Sequence, residues 1–179
     1  MTFVLEPPAA PLPAGAAFLR HARFRLRDDY LVKITAAVTE LTDEQIWWRP
    51  NEASNSIGNL ILHLNGNVRQ WLVASFRQLE DVRNRPQEFS ERQMIPRAAL
   101  VTIMRETVTQ ASKVLDSLTE ADLQKTYHIQ GYTVSGVHAV YQVVEHFAMH
   151  YGQIVYITKL IRAQDLGFYK SLDKTGRAG

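Results

Sequence analysis

The amino-acid sequence predicts an all-α fold, a four-helix bundle with crossover connections, and three observations carry that expectation. Apolar residues recur at three- and four-residue steps through four segments, Ala16–Glu40, Ser56–Leu79, Arg97–Leu118 and Val134–Arg162. No convincing strand alternation competes with them. The segments are joined by connections of roughly 15 residues, which suits a bundle whose helices are not all antiparallel neighbours. At 179 residues and 46% hydrophobic content, the chain has the length of one domain and the apolar side chains to fill one core.

Residues 1–15 carry Pro7, Pro8, Pro11 and Pro13 and read as an extended arm. The bundle is expected over residues 16–169, with a flexible tail at 170–179. The first segment has a charged face, with Arg20, Arg23, Arg27, Asp28 and Lys33. Trp47 and Trp48 then read as a hydrophobic staple closing the loop onto the bundle, in preference to a partner surface. Asn51–Ser56 offers several N-cap candidates for the second segment. The stretch Glu80–Ile95 reads as a long, polar, exposed loop, and Pro96 opens the third segment. Gly131–Ser135 breaks the chain before the fourth. Leu41-Thr42-Asp43-Glu44 and Leu118-Thr119-Glu120-Ala121 form a faint internal echo, one before each histidine-bearing segment. Aligning His63 with His146 also aligns Gln70 with Gln153.

Composition narrows the function. The 20 basic and 18 acidic residues are mixed along the chain for a net charge of +2, so nothing points to a nucleic-acid partner or a membrane surface. The N-terminus lacks the basic start and apolar core of a secretory signal. The longest apolar stretch, Val134–Ile161, is too interrupted by His138, Gln142, Glu145, His146, His150 and Gln153 for a lipid-facing helix. A cytoplasmic protein is the expectation. With no cysteine, any metal site must use histidine, carboxylate or amide ligands, which turns attention to the six histidines.

His146 and His150 are four residues apart on the fourth helix, so they share a face one turn from each other and can share an ion. Gln142 and Gln153 fall within about 40° of His146 on the helical wheel. The rest of that helix is apolar nearly all round, which predicts a position in the middle of the bundle. The second segment repeats the pattern: Ser56, Asn59, Asn67 and Gln70 lie within about 40° of His63, and Ile57, Ile61, Leu64, Val68 and Leu72 occupy the opposite side. Neither strip contains a charge, so both read as walls of a wet cleft.

The candidate metal ligands are therefore His63, His146 and His150, with Asn59, Asn67, Gln142 and Gln153 lining the cleft. His138, about 80° from His146, reads as structural and as the fallback fourth ligand. His21 reads as a solvated surface residue and His128 as a loop residue. Three imidazoles leave a position open for water or substrate, as in catalytic zinc sites, and imidazole also suits nickel, iron and copper. Glu145-His146-Phe147-Ala148-Met149-His150 lacks the glutamate of H-E-x-x-H, and the Glu-x-x-His pairs of di-iron bundles are absent. No general base stands out.

Trp47-Trp48-Arg49-Pro50, Ser54-Asn55-Ser56-Ile57-Gly58-Asn59-Leu60, His63-Leu64-Asn65-Gly66-Asn67, Val144-Glu145-His146-Phe147 and His150-Tyr151-Gly152-Gln153-Ile154 together resemble the DinB-like (DinB/YfiT-like) superfamily of metal-binding proteins. The similarity runs from about Phe18 to Tyr169. The resemblance implies a DinB/YfiT-like four-helix bundle, a homodimer, and zinc or nickel held by His63, His146 and His150. It also implies a small-molecule substrate, with low-molecular-weight thiols such as bacillithiol, mycothiol or glutathione used by some relatives in S-transfer or isomerisation. Two classes of function are open on this reading. One is a metal-dependent transferase or hydrolase; the other is a metal-stabilised dimeric module without chemistry, in which Trp47 and Trp48 could mediate contact.

Overall fold

A computed structural model describes residues 5–170 of the chain. The fold is mostly helical, with one small antiparallel sheet. Residues 1–4 of the arm and 171–179 of the tail lie outside the described residues. The rest of the arm is irregular up to Pro13, and Arg20 donates to the Glu6 carbonyl at 2.6 Å.

Each of the four expected helical segments is present. The first is α1 (Ala14–Phe24), a π-helical turn (Arg25–Tyr30) and α2 (Leu31–Thr39) in unbroken succession. A short α3 (Asp43–Trp47) comes next, opened by a capping box in which the Thr42 hydroxyl accepts from the Gln45 backbone and the Gln45 side chain accepts from the Thr42 backbone. The second segment is α4 (Ile57–Val68), a second π-helical turn (Arg69–Ala74) and α5 (Ser75–Arg77). Its capping box pairs Ser56 with Asn59. Then come α6 (Arg85–Ser90), α7 (Arg97–Ser117) and α8 (Glu120–Gln124), the last opened by a Thr119–Asp122 capping box. A hairpin of β1 (Thr126–Ile129) and β2 (Tyr132–Ser135) leads into α9 (Gly136–Arg162).

α4 packs on α7 and α9, α1 on α7, and α2 on α9. Leu26, Ile34, Ile61, Leu64, Leu100, Met104 and Phe147 meet in one core and are almost completely buried. Each such side chain removed from water stabilises the fold by about 1.5–3 kcal/mol. At the first π turn, buried Asp29 ion-pairs with Arg25 and with Lys33 Nζ, the latter at 2.6 Å.

Four expectations need correction. The fourth helix begins at Gly136, because Val134 and Ser135 belong to β2; Gln130 and Gly131, at φ 54° and 82°, supply the two left-handed residues of a tight hairpin turn. His128 lies on β1, where its Nδ1 is 3.0 Å from Thr133 Oγ1, and not in a loop. Glu80–Ile95 is no plain exposed loop, since it contains α6 and buries Glu88. Finally, α9 is not enclosed: Val137, Tyr141, Met149, Tyr156 and Leu160 stand exposed along it. Trp47 does act as a staple, its ring lying where Gly58 has no Cβ and its Nε1 donating to the Ile95 carbonyl at 3.0 Å, while Trp48 remains exposed. Among the described residues, no helix is long and apolar enough to cross a membrane.

Candidate metal centre

His63 projects from α4, and His146 and His150 from successive turns of α9, which packs against it. His63 Nε2 lies 3.0 Å from His146 Nε2, and His150 Nε2 lies 3.1 Å from the same atom. The three imidazoles form the one group of possible metal ligands among the described residues, each offering a ring nitrogen within 4.8 Å of the others.

The outer ring nitrogens decide what the inner ones present. Glu88 Oε2 lies 2.8 Å from His63 Nδ1, and a carboxylate only accepts, so Nδ1 carries the proton and Nε2 faces inward as a lone pair. His150 Nδ1 is 2.8 Å from Gln153 Oε1, which turns its Nε2 inward in the same way. Lone pairs that converge at these separations repel unless a cation or shared proton lies between them. Metal–nitrogen bonds of about 2.0–2.1 Å at a tetrahedral angle give nitrogen separations of about 3.3 Å, close to the two that His146 Nε2 makes with His63 and His150. The donor set fits a divalent ion.

Arg83 holds Glu88 in place. Its Nε donates to Oε1 at 2.7 Å and its Nη2 to Oε2 at 2.8 Å, a two-pronged pair that is nearly buried. Burial by itself would raise the Glu88 carboxyl, but the Arg83 and His63 hydrogen bonds outweigh it and hold the group below its ordinary value. His146 is pushed down to about 3, first by burial and then by the charges of His150, His63, Arg83 and Arg85. His150 is also lowered by burial, against the opposing Gln153 hydrogen bond. A neutral imidazole is the form that binds metal.

The cleft beside the histidines has a volume of about 380 Å³. His63, His146, Asn67, Gln142 and His138 line it, together with Trp71 and the hairpin residues Gln130, Tyr132 and Val134. Asn67 Oδ1, Gln142 Oε1 and His146 Nδ1 are buried there without a hydrogen-bond partner among the described residues. His138 is exposed and stands outside the three-histidine group; its backbone N–H donates to Ser135 Oγ at 3.2 Å. Gln153 lies outside the lining and acts on His150 instead.

Asn59 does not line the cleft. Its Nδ2 donates to the carbonyls of Glu88 and Glu91 at 3.0 and 3.2 Å, pinning α6 against α4. Gln70 does similar work: its Nε2 donates to Asp81 Oδ2 at 2.6 Å, and its Oε1 accepts from Arg83 Nη1 at 2.9 Å. The uncharged strip of α4 is thus partly a docking track for the 80–95 segment. Sequence reasoning missed Arg83 and Glu88 altogether. The available signal was Asn84-Arg85-Pro86, an N-cap asparagine with proline in the first turn, which announces a helix where a loop was expected. Gly66 completes the arrangement, because a Cβ there would fall on the Glu88 carboxylate.

No curated protein matches the chain. Among solved structures, it is similar to the crystal structure of a conserved protein from Enterococcus faecalis, with a TM-score of 0.62 and 16% identity over 84% of this chain and 96% of that one. At that identity the likeness speaks for the fold alone. A family model described as "Protein of unknown function (DUF1572)" matches residues 13–173, and the chain belongs to that family.

Proposed function

We propose that the protein is a metal-dependent enzyme of the DinB-like superfamily, built as a four-helix bundle, whose tri-histidine site binds zinc or nickel and acts on a low-molecular-weight thiol. The observation that carries this reading is the convergence of three Nε2 atoms on one point beside a cleft, with His63 and His150 each held in the metal-binding tautomer. Three ligands leave room for a fourth, and a bound divalent ion lowers the pKa of a water or thiol placed there.

The chain's own residues supply binding and orientation. Arg83 and Arg85 are the charged residues of the cleft wall apart from its histidines. Arg83 is neutralised by Glu88, whereas Arg85 is exposed and leaves its charge to the cleft mouth. A thiol bearing a carboxylate suits that field. Asn67 and Gln142 give the same cleft an uncharged polar wall.

Inductively coupled plasma mass spectrometry on untagged protein tests the reading. Wild type is expected to carry about one zinc or nickel per chain, and folded His63→Ala and His150→Ala variants to lose it. Thiol-transfer and hydrolysis assays on the loaded protein come next. A wild type that stays metal-free after incubation with both ions removes the site and the enzyme with it.

The exposed apolar face of α9 favours a second reading, a homodimer in which the metal only ties α4 to α9. Val137, Tyr141, Met149, Tyr156 and Leu160 recur at helical steps, and Gly152 among them has open space at its Cβ position. Light scattering on wild type and Tyr156→Glu reads the dimer. Metal-dependent stability without turnover would favour this second reading over the first.

A further inference from the structure

Residues 80–95 return onto the helical stretch that carries His63, yet Glu88 alone among them is buried. α6 packs chiefly on α4. A cavity of about 400 Å³ lies between the helical stretch and the segment, lined by Leu62 and Val73 from the one and Val82 and Ile95 from the other. Docking therefore rests more on polar contacts than on apolar burial: Asn59 to the Glu88 and Glu91 carbonyls, Gln70 to Asp81 and Arg83, and Glu88 to His63. A segment with so few buried apolar side chains opens locally, far short of global unfolding.

The docked segment brings four side chains to the histidines. Glu88 Oε2 accepts from His63 Nδ1 at 2.8 Å, and the Phe89 ring lies against the His63 imidazole with centroids 4.5 Å apart. Arg83 and Arg85 join the cleft wall, the Arg85 guanidinium carbon 4.9 Å from the centre of the Phe89 ring. Lifting the segment removes all four and leaves His63, His146 and His150 on their own helices. With an ion on Nε2, the His63 ring becomes the stronger Nδ1–H donor to Glu88, so lifting is harder from the loaded centre. Linkage sets the size of the effect. Loss of a carboxylate behind a ligand histidine weakens metal binding about 10- to 100-fold, so the bound ion must favour the docked segment by the same factor.

We propose, on the basis of the metal-binding function, that residues 80–95 are a lid latched by the metal centre through the Glu88–His63 contact. An occupied centre thereby completes the cationic wall of its own cleft, because Arg83 and Arg85 ride on the lid.

Hydrogen exchange of the full chain, read by mass spectrometry with and without saturating zinc, tests the latch, with zinc stoichiometry measured on the same samples. The expected result is exchange slowed about 10- to 100-fold across residues 83–91. The hairpin, tied to the same helical stretch by the Trp71–Gln130 hydrogen bond and to no ligand histidine among the described residues, should change less than about twofold. Glu88→Ala keeps the three histidines and should still fill at saturating zinc, but exchange across its segment should be indifferent to the ion. Asn59→Ala, which leaves Glu88 and His63 in place, should exchange faster without zinc and retain the slowing with it. One zinc per chain with segment and hairpin slowed alike, with neither slowed, or with slowing that persists in Glu88→Ala overturns the latch while metal binding stands. A chain that takes up no zinc overturns both.

Discussion

Glu88 Oε2 meets His63 Nδ1 at 2.8 Å although 25 residues separate the two in sequence, and it does so from a six-residue helix that contributes no candidate metal ligand. The contact sets which nitrogen of His63 faces the other two imidazoles. Glu88→Gln removes the charge that favours the Nδ1-protonated ring and leaves Arg83 without its carboxylate. Zinc affinity, measured by chelator competition, should fall about 10- to 100-fold while the circular dichroism spectrum is unchanged. An affinity within twofold of wild type would deny Glu88 this role.

Gly66→Ala tests the same brace from the other side. Alanine is the better helix former by about 0.8–1.0 kcal/mol, so α4 itself gains. Its methyl group, however, takes the space of the Glu88 carboxylate, which must swing away from His63. The expected outcome is a nearly unchanged Tm for the metal-free protein together with weaker zinc binding. A large fall in Tm with zinc affinity intact would contradict it.

Asn59→Ala removes the donor to two carbonyls of the 80–95 segment and half of the Ser56 capping box. The buried Glu88 carbonyl is left unmatched. Chemical denaturation should show a loss of about 1–3 kcal/mol. Hydrogen exchange should rise first in residues 85–91, and exchange that rises uniformly instead would show that Asn59 does not pin this segment in particular.

Acid should destabilise the metal-free protein. His146 sits at about 3 when folded against an ordinary 6.5, so between those values the unfolded chain holds the extra proton. Stability therefore rises with pH across this window; the contribution is complete above 6.5 and drains away as pH falls towards 3. The lowered His150 acts in the same sense, and the lowered Glu88 adds to the loss at more acidic pH. Tm should drop from pH 7 to pH 5, and His146→Gln should flatten that slope. A slope indifferent to the substitution would place the effect elsewhere.

Asp29 offers a test remote from the site. It is fully buried and pairs with Arg25 and Lys33. Asp29→Ala strips the buried Lys33 ammonium of its carboxylate and should cost about 3–5 kcal/mol in denaturant unfolding. A cost below 1 kcal/mol would mean that the Tyr169 hydroxyl, 3.5 Å from Lys33 Nζ, and its other neighbours suffice.

The four long helical stretches were legible because their periodicity is local and survives packing. The histidines were legible as a set because four-residue spacing and uncharged strips are properties of single helices. What sat on those strips was not. Asn59 and Gln70 look like cleft walls on a wheel, and only the return of the 80–95 segment onto α4 shows them to be fasteners. Glu88 and Arg83 look like ordinary loop charges until that return buries them. The hairpin escaped notice because its strands are only four residues each and its turn is Gln-Gly, not the stronger Asn-Gly signal. The outer face of α9 misled in the opposite way: tyrosine, methionine and leucine there satisfy every rule for burial except the presence of something to bury them.

The π turn at Arg69–Ala74 makes the helix that carries His63 sensitive to residue number as well as residue type. Such a turn holds one residue more than the α turn it replaces, so the residues after it are rotated by roughly 100° from their places on an unbroken helix. Gln70, Trp71, Leu72 and Val73 are consecutive and all buried, which suits a widened turn better than a regular face. Downstream, Phe76 reaches Tyr127 with ring centroids 4.5 Å apart, while within the turn Trp71 Nε1 donates to Gln130 Oε1 at 3.0 Å. A one-codon deletion here could heal the helix and still aim Phe76 away from the hairpin that walls the cleft. The hairpin is hung from a helix whose phase is kept by a count, and a count is lost to an insertion or deletion more readily than to any conservative replacement.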